Sequence, residues 1–267
     1  MHRRDVNSED LEARRMAGIG TLERYTGSDA ASFQPYVLLT NFDRYVNAFT
    51  KYCGVKLTEG TAMQAAHWPQ EKITIISYGV GSPTAALVID LLHFNSPEAV
   101  LMLGLCGGLR INHKIGDYFL PVAAIRGEGT SEHYMPSQVP SLSNFTIQRY
   151  VAAELENRNL PYHTGVIHST NYRFWEFDDG FKDRLITEKA QTIDMECATL
   201  FTVGYARQVP VGALMLISDK PLTPGGVKTP ETSRRLFEEH EKSHIELGIK
   251  VLMSLRDSPE IAHKEIW

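Results

Sequence analysis

The sequence predicts an α/β fold, a three-layer α/β/α arrangement with one sheet enclosed between helices, and three observations predict it. Six short runs are continuously apolar and rich in Val, Ile and Leu, the composition of strands buried on both faces. Amphipathic helical patterns alternate with them, which is the order that builds a sheet covered on both sides. The alternation runs from Tyr36 to about Leu255 without a break in composition, so it describes one domain.

Taken in order, residues 1–34 are polar and read as a short helix and a linker ahead of a catalytic-sized domain over 35–267. The strand-like runs are "YVLLT", "ITIISYG", "AVLMLGL", "DYFLPVAAI", "HTGVIHST" and "VGALMLISD". The helical ones are "TAALVIDLLHF", "NFTIQRYVAAELENR", "ECATLFTVGYARQ" and a long segment from Pro230 to about Leu255. There are no internal repeats and no low-complexity tracts.

The totals exclude several classes of function. A net charge of −5 argues against a nucleic-acid partner, which calls for a basic patch. Cys53, Cys106 and Cys197 form no CxxC pair, and so sparse a set suits a reducing compartment better than a disulfide framework. The charged start "MHRRDVNSEDLEARRM" lacks the apolar stretch of a signal peptide, and no run reaches membrane-spanning length. A cytoplasmic location is the expectation.

Ligands of such sheets bind beyond the carboxyl ends of the strands. Here those ends carry unusual residues: "LLTNF", "SYGVGSP", "LGLCGG", "HSTNYR" and "ISDKP". Asn41, Gly81, Cys106 and Gly107 are what the first of them offer to a substrate. In "YGVGSPTAALVIDLL", Ser82 is placed to cap a helix with Pro83 at its first position, and glycine allows close approach to the backbone. Thr84 stands where a third glycine would complete a dinucleotide fingerprint, and a plain strand–helix turn fits the stretch equally well. No Lys-Ser or Lys-Thr follows "LGLCGG", so it is not a nucleoside-triphosphate loop.

Acids end two of the later strands. In "QTIDMECATL", Asp194 and Glu196 suit the positive end of a helix. Asp219 ends "LMLISD" before Lys220-Pro221; at an apolar rim its charged form is disfavoured, which makes a proton donor, while a plainer role is to turn the chain into a Pro-rich loop. His240-Glu241-x-x-His244 matches the zinc pattern HExxH, but it lies among Glu and Lys in a stretch that reads as a solvated helix face.

Together "GVGSP", "GLCGG", "DMECA" and "SDKP", in this order, resemble the nucleoside phosphorylase and nucleosidase family, which cleaves N-glycosidic bonds of purine nucleosides. The likeness is closest to its AMP nucleosidase branch through "IGDYFLPVAAIRGEGTS", "TNYRFWE" and "SDKPL", and extends from about Tyr25 to Leu255. The resemblance implies a nucleoside phosphorylase-like fold with a mixed central sheet, AMP as substrate, no metal or redox cofactor, and a homo-oligomer, a hexamer, whose subunits share residues at their sites. It gives Glu196 the ribose hydroxyls, Met195 the sugar face and Asp219 the protonation of the purine at N7. Phosphorylases of the family carry an arginine and a serine where this chain has Met102 and Leu105, so hydrolysis is implied instead. The glutamate that orients water in related nucleosidases is replaced by Thr40-Asn41. A 5′-phosphate calls for cations, and Arg44, Arg126, Arg173 and Lys228 are the candidates, Arg126 and Arg173 foremost because both lie in motif stretches. Phe174 and Trp175 are placed to stack on the base. Longer members of the branch carry an N-terminal regulatory region for which 267 residues leave no room.

Overall fold

The structure, a computed structural model, describes residues 8–258. Helix α1 (Ser8–Thr26) opens the chain. Its polar sequence nevertheless buries Leu22, and its end is tied to the body where Met63 N–H donates to Tyr25 O at 2.8 Å and Thr61 N–H to Arg24 O at 3.1 Å.

The strands are β1 (Tyr36–Thr40), β2 (Leu57–Glu59), β3 (Gln64–Trp68), β4 (Ile73–Ser77), β5 (Ala99–Gly108), β6 (Tyr118–Gly127), β7 (Ser141–Leu142), β8 (Tyr162–Thr170), β9 (Thr192–Asp194) and β10 (Val211–Asp219). Between them lie α2 (Asp43–Cys53), α3 (Ser82–His93), α4 (Phe145–Asn157), α5 (Asp179–Thr187) and α6 (Cys197–Arg207), and α7 (Pro230–Arg256) follows β10. All six predicted strands and all four predicted helices are present. The turn before α3 differs by one position: Gly81 is the N-cap, Ser82 starts the helix, and the Ser82 hydroxyl bonds Thr130 Oγ1 at 2.9 Å instead of capping.

The sheet is mixed, as expected. β1 runs parallel to β4 and β5, and β5 parallel to β10, whereas β3, β6 and β9 make antiparallel pairs with β4, β10 and β5. Strand pairing also closes on itself. β5 pairs β10, β10 pairs β6, β6 pairs β8, β8 pairs β9, and β9 returns to the end of β5. β1 to β4 extend from this ring as an open wing.

Two-residue alternation builds the two cores. Leu101, Leu103 and Leu105 of β5 and Leu214 and Leu216 of β10 face α2, α4 and α7, while Val100, Met102 and Cys106 with Ala213, Met215 and Ile217 face α3 and α6. Both faces of the strands are therefore apolar, which is why they appear as unbroken hydrophobic runs in the sequence. Because β1, β4, β5 and β10 are parallel, their carboxyl ends meet on one side.

Candidate active site

On that side the pairing register lines up three positions. Asp219 of β10 lies opposite Gly107 of β5, and Gly107 lies opposite Ile193 of β9, the residue before Asp194. Two strand spacings separate the outer pair, roughly 10 Å, a span suited to a nucleoside. Gly107 is the floor between them: a Cβ there would come within 3.1 Å of Ile193 and 3.2 Å of Pro221. A cavity of ≈ 210 Å³ occupies this place.

Asp219 reaches the cavity through an irregularity. The register of β10 against β5 skips Ser218, so the strand bulges there and the next side chain is re-aimed. The Ser218 hydroxyl turns back, 3.2 Å from Cys106 O and 2.6 Å from Asp219 Oδ1, to which it donates. Asp219 is 8% exposed. Burial raises its pKa above the usual carboxylate range; bonds from Ser218 and the Lys228 backbone N–H and the Lys228 charge act against the rise, and the nearby Glu176 charge adds to it. Lys220 is not its partner, as its ammonium donates to Ile111 O at 2.9 Å.

Across the cavity the two acids of "DMEC" divide their work. Asp194 caps α6: it accepts from Cys197 N–H at 2.7 Å, from Glu196 N–H at 3.2 Å and from the Ser169 hydroxyl at 2.5 Å. Ser169 in turn accepts from Ala198 N–H at 2.8 Å. The plain helix-end role expected of both acids thus belongs to Asp194. Glu196, 3% exposed, makes no capping bond and turns into the cavity. Its Oε1 accepts from Gly81 N–H at 2.7 Å and its Oε2 from Met195 N–H at 3.3 Å. Gly81 has φ 101°, a conformation that favours glycine, and this aims its N–H at Glu196. Burial and the Asp194 charge push the Glu196 carboxyl up, with the two N–H donors and the Asn41 side chain opposing.

Met195, Asn41, Cys106, Gly107, Arg173 and Lys228 line the same cavity. Four expected residues do not, and of these Gly81 reaches the site only through its bond to Glu196. Arg126 is committed elsewhere: it donates to Ser131 Oγ, Met135 O, Pro136 O and Val139 O at 2.6 to 3.0 Å, fastening the loop after β6. Arg44 pairs with Glu241 and lies over the Phe237 ring at 4.2 Å. Phe174 is 66% exposed; the aromatic lining comes from Trp175, which was also expected, with Tyr172 and Phe42. Glycine and proline punctuation could not separate Tyr172, Phe174 and Trp175, because they sit in one irregular loop. No sequence signal singles out Ser169, which supports the Asp194 cap, or Glu176 in the cavity wall.

His244 of the HExxH match is buried in the core, bonded to Tyr45 OH at 2.9 Å and Leu214 O at 3.0 Å. A larger cavity of ≈ 440 Å³ opens at the amino ends of β5 and β10 among Phe201, Val209 and Val211, and no carboxylate lines it. Among the described residues no helix is long and apolar enough to cross a membrane.

Comparison with known proteins agrees with this geometry. The chain is 30% identical to the AMP nucleosidase of Escherichia coli K12 over 95% of its own length, and it spans 62% of that enzyme's length. It is 27% identical to the guanosine phosphorylase of Halorubrum lacusprofundi, covering 68% of this chain and 74% of that one. The crystal structure of an AMP nucleosidase from Bacteroides thetaiotaomicron superposes with a TM-score of 0.81 at 40% identity, covering 91% of this chain and 97% of that one. The model of the phosphorylase superfamily matches residues 35–252, and the chain belongs to that superfamily.

Proposed function

We propose that the chain is an N-glycosyl hydrolase that cleaves AMP with water to adenine and ribose 5-phosphate. The observation that carries this reading is the pair of buried acids, Asp219 and Glu196, lining one cavity and held by separate hydrogen-bond sets. As the C1′–N9 bond breaks, its electron pair moves onto the purine and positive charge develops on the ribose. Asp219, whose hold on a proton is strengthened by burial, gives that proton to N7 and relieves the charge on the base. Glu196 accepts from the ribose hydroxyls and counters the cation, so its anionic form is favoured most as the bond breaks. Water then adds to C1′.

Hydrolysis is preferred to phosphorolysis on the resemblance, in which Met102 and Leu105 replace the arginine and serine of the phosphorylases; Leu105 is an apolar residue of the cavity lining and Met102 is buried in the core. The 5′-phosphate is assigned to Arg173, whose guanidinium is 54% exposed at the cavity and gives one N–H to Glu176. Lys228 acts on Asp219 instead. The resemblance further implies a homohexamer, which light scattering of the purified protein tests. The activity itself is tested by incubation with AMP, adenosine, IMP and GMP, with and without phosphate, and identification of the sugar product. Ribose 5-phosphate formed from AMP without added phosphate is expected; a strict phosphate requirement would turn the assignment to a phosphorylase.

A further inference from the structure

The cavity wall holds an acid that the reaction above leaves unused. Glu176 lies in the short 3-10 turn Trp175–Phe177, and its side chain is 7% exposed. Oε1 accepts from Arg173 at 2.9 Å. Oε2 is buried and has no hydrogen-bond partner among the described residues. An unpaired carboxylate oxygen out of water is costly, and a folded protein keeps one where a ligand supplies the donor.

Its place in the cavity says which part of the ligand. Among cavity-lining residues, one other side chain has such an atom, Asn41 Oδ1, and Asn41 already bonds Glu196 on the sugar side. Glu176 stands on the Asp219 side of the cavity: its neighbour Trp175 packs with Ile193 and with Leu222, three residues beyond Asp219, and Glu176, Asp219 and Pro221 line the same wall. On a purine, the group at C6 shares an edge with N7, where Asp219 works. A carboxylate only accepts, a 6-amino group donates, and a 6-oxo group only accepts.

We propose that Glu176 Oε2 accepts a hydrogen bond from the 6-amino group of the substrate, and so selects 6-aminopurine over 6-oxopurine nucleotides. This rests on the reading of the site as one that cleaves purine nucleotides.

The test compares kcat/KM for AMP and IMP in the wild-type protein and in Glu176→Gln, whose amide offers both a donor and an acceptor. The wild type should favour AMP by at least ~100-fold, since a buried polar group left facing another acceptor rejects the wrong substrate strongly. Glu176→Gln should bring the two within about tenfold, and the change in ratio cancels any intrinsic difference between leaving groups. A folded Glu176→Gln protein that keeps the wild-type ratio, or a wild type that prefers IMP because Glu176 takes the N1–H of a 6-oxopurine, overturns the proposal. Calorimetry of the free bases gives a readout without any variant: adenine should bind the wild type at least ~10-fold more tightly than unsubstituted purine, and equal affinity overturns the assignment. If no nucleotide is cleaved at all, the hydrolase reading fails. Glu176 is then judged on base binding alone, supported by an adenine preference that Glu176→Gln abolishes and overturned by its absence.

Discussion

Replacing Asp219 by Asn removes the proton that the leaving base needs while keeping the shape of the side chain. Oδ1 of the new residue can still accept from Ser218, at 2.6 Å in the native protein. The bond from the Lys228 backbone N–H is what the amide group endangers, so folding should lose no more than about 1–2 kcal/mol. Catalysis loses far more. A positioned general acid contributes about 10²–10⁴-fold, or roughly 3–5 kcal/mol of barrier, and burial of Asp219 raises its pKa in the direction a proton donor needs. The assay is single-turnover cleavage of AMP beside that of a 7-methylated nucleotide, whose base departs neutral without a proton. Asp219→Asn should slow AMP by at least ~100-fold and the methylated substrate by under about tenfold. The wild-type rate with AMP should also fall as pH rises through the raised Asp219 pKa, an alkaline limb that the methylated substrate lacks. Near-normal AMP turnover in the folded variant, or equal losses for both substrates, would refute Asp219 as the acid.

Glu196→Gln should lower kcat by roughly 100-fold or more and change KM much less, because its charge matters most when the ribose becomes cationic; a change confined to KM would make Glu196 a ground-state sugar contact. Arg173→Ala should narrow the preference for AMP over adenosine by about 10-fold or more, the scale of one charge-assisted hydrogen bond, whereas Lys228→Ala should slow both substrates alike. Arg126→Ala should leave that preference intact and cost about 2–4 kcal/mol in denaturant unfolding, through the loss of its bonds to the loop after β6. His244 is buried neutral, its pKa pushed down to about 4. Its contribution to stability is complete above the unfolded value near 6.5 and is lost as pH falls towards 4, with about 2 kcal/mol gone at pH 5. Denaturant curves between pH 7 and 5 should therefore be flatter in pH for His244→Gln than for the wild type, and identical slopes would refute this.

The parts of this molecule that were legible in its sequence are those that physics writes locally. β5 and β10 are buried on both faces, so their residues had to be apolar throughout and announced themselves as strands. α7 announced its start at Pro230, and the structure adds the cap, Thr229 bonded reciprocally with Thr232. What stayed hidden depends on pairing between distant segments. β9 is the short strand that Asp194 ends, but its pairing with Gly107 and Gly108, which closes the ring and delivers Asp194 to the site, leaves no mark in the sequence. The bulge at Ser218 is a register event between two strands, and no residue of "LISDKP" marks it. His240 and His244 share a helix face by spacing, but only the packing of α7 against β10 shows that His244 is a core residue with both ring nitrogens engaged.

Asp194 and Glu196 make the same point in chemical terms. Two carboxylates two residues apart in a buried place repel one another, and each pushes the other towards the neutral form. The fold resolves the conflict by giving them unequal donors. Asp194 receives the Ser169 hydroxyl and two N–H groups of the first turn of α6, where the helix end favours a negative charge. Glu196 is left with one short bond from Gly81, a longer one from Met195 and the Asn41 side chain, so the protein compensates its charge only in part. A ligand that supplies hydroxyl donors and then a positive charge completes that compensation, and it does so most fully at the moment the glycosidic bond breaks. Loss of the Asp194 charge would therefore remove the cap of α6 and the pressure on Glu196 together, which ties the stability of this helix to the reactivity of the residue that begins it.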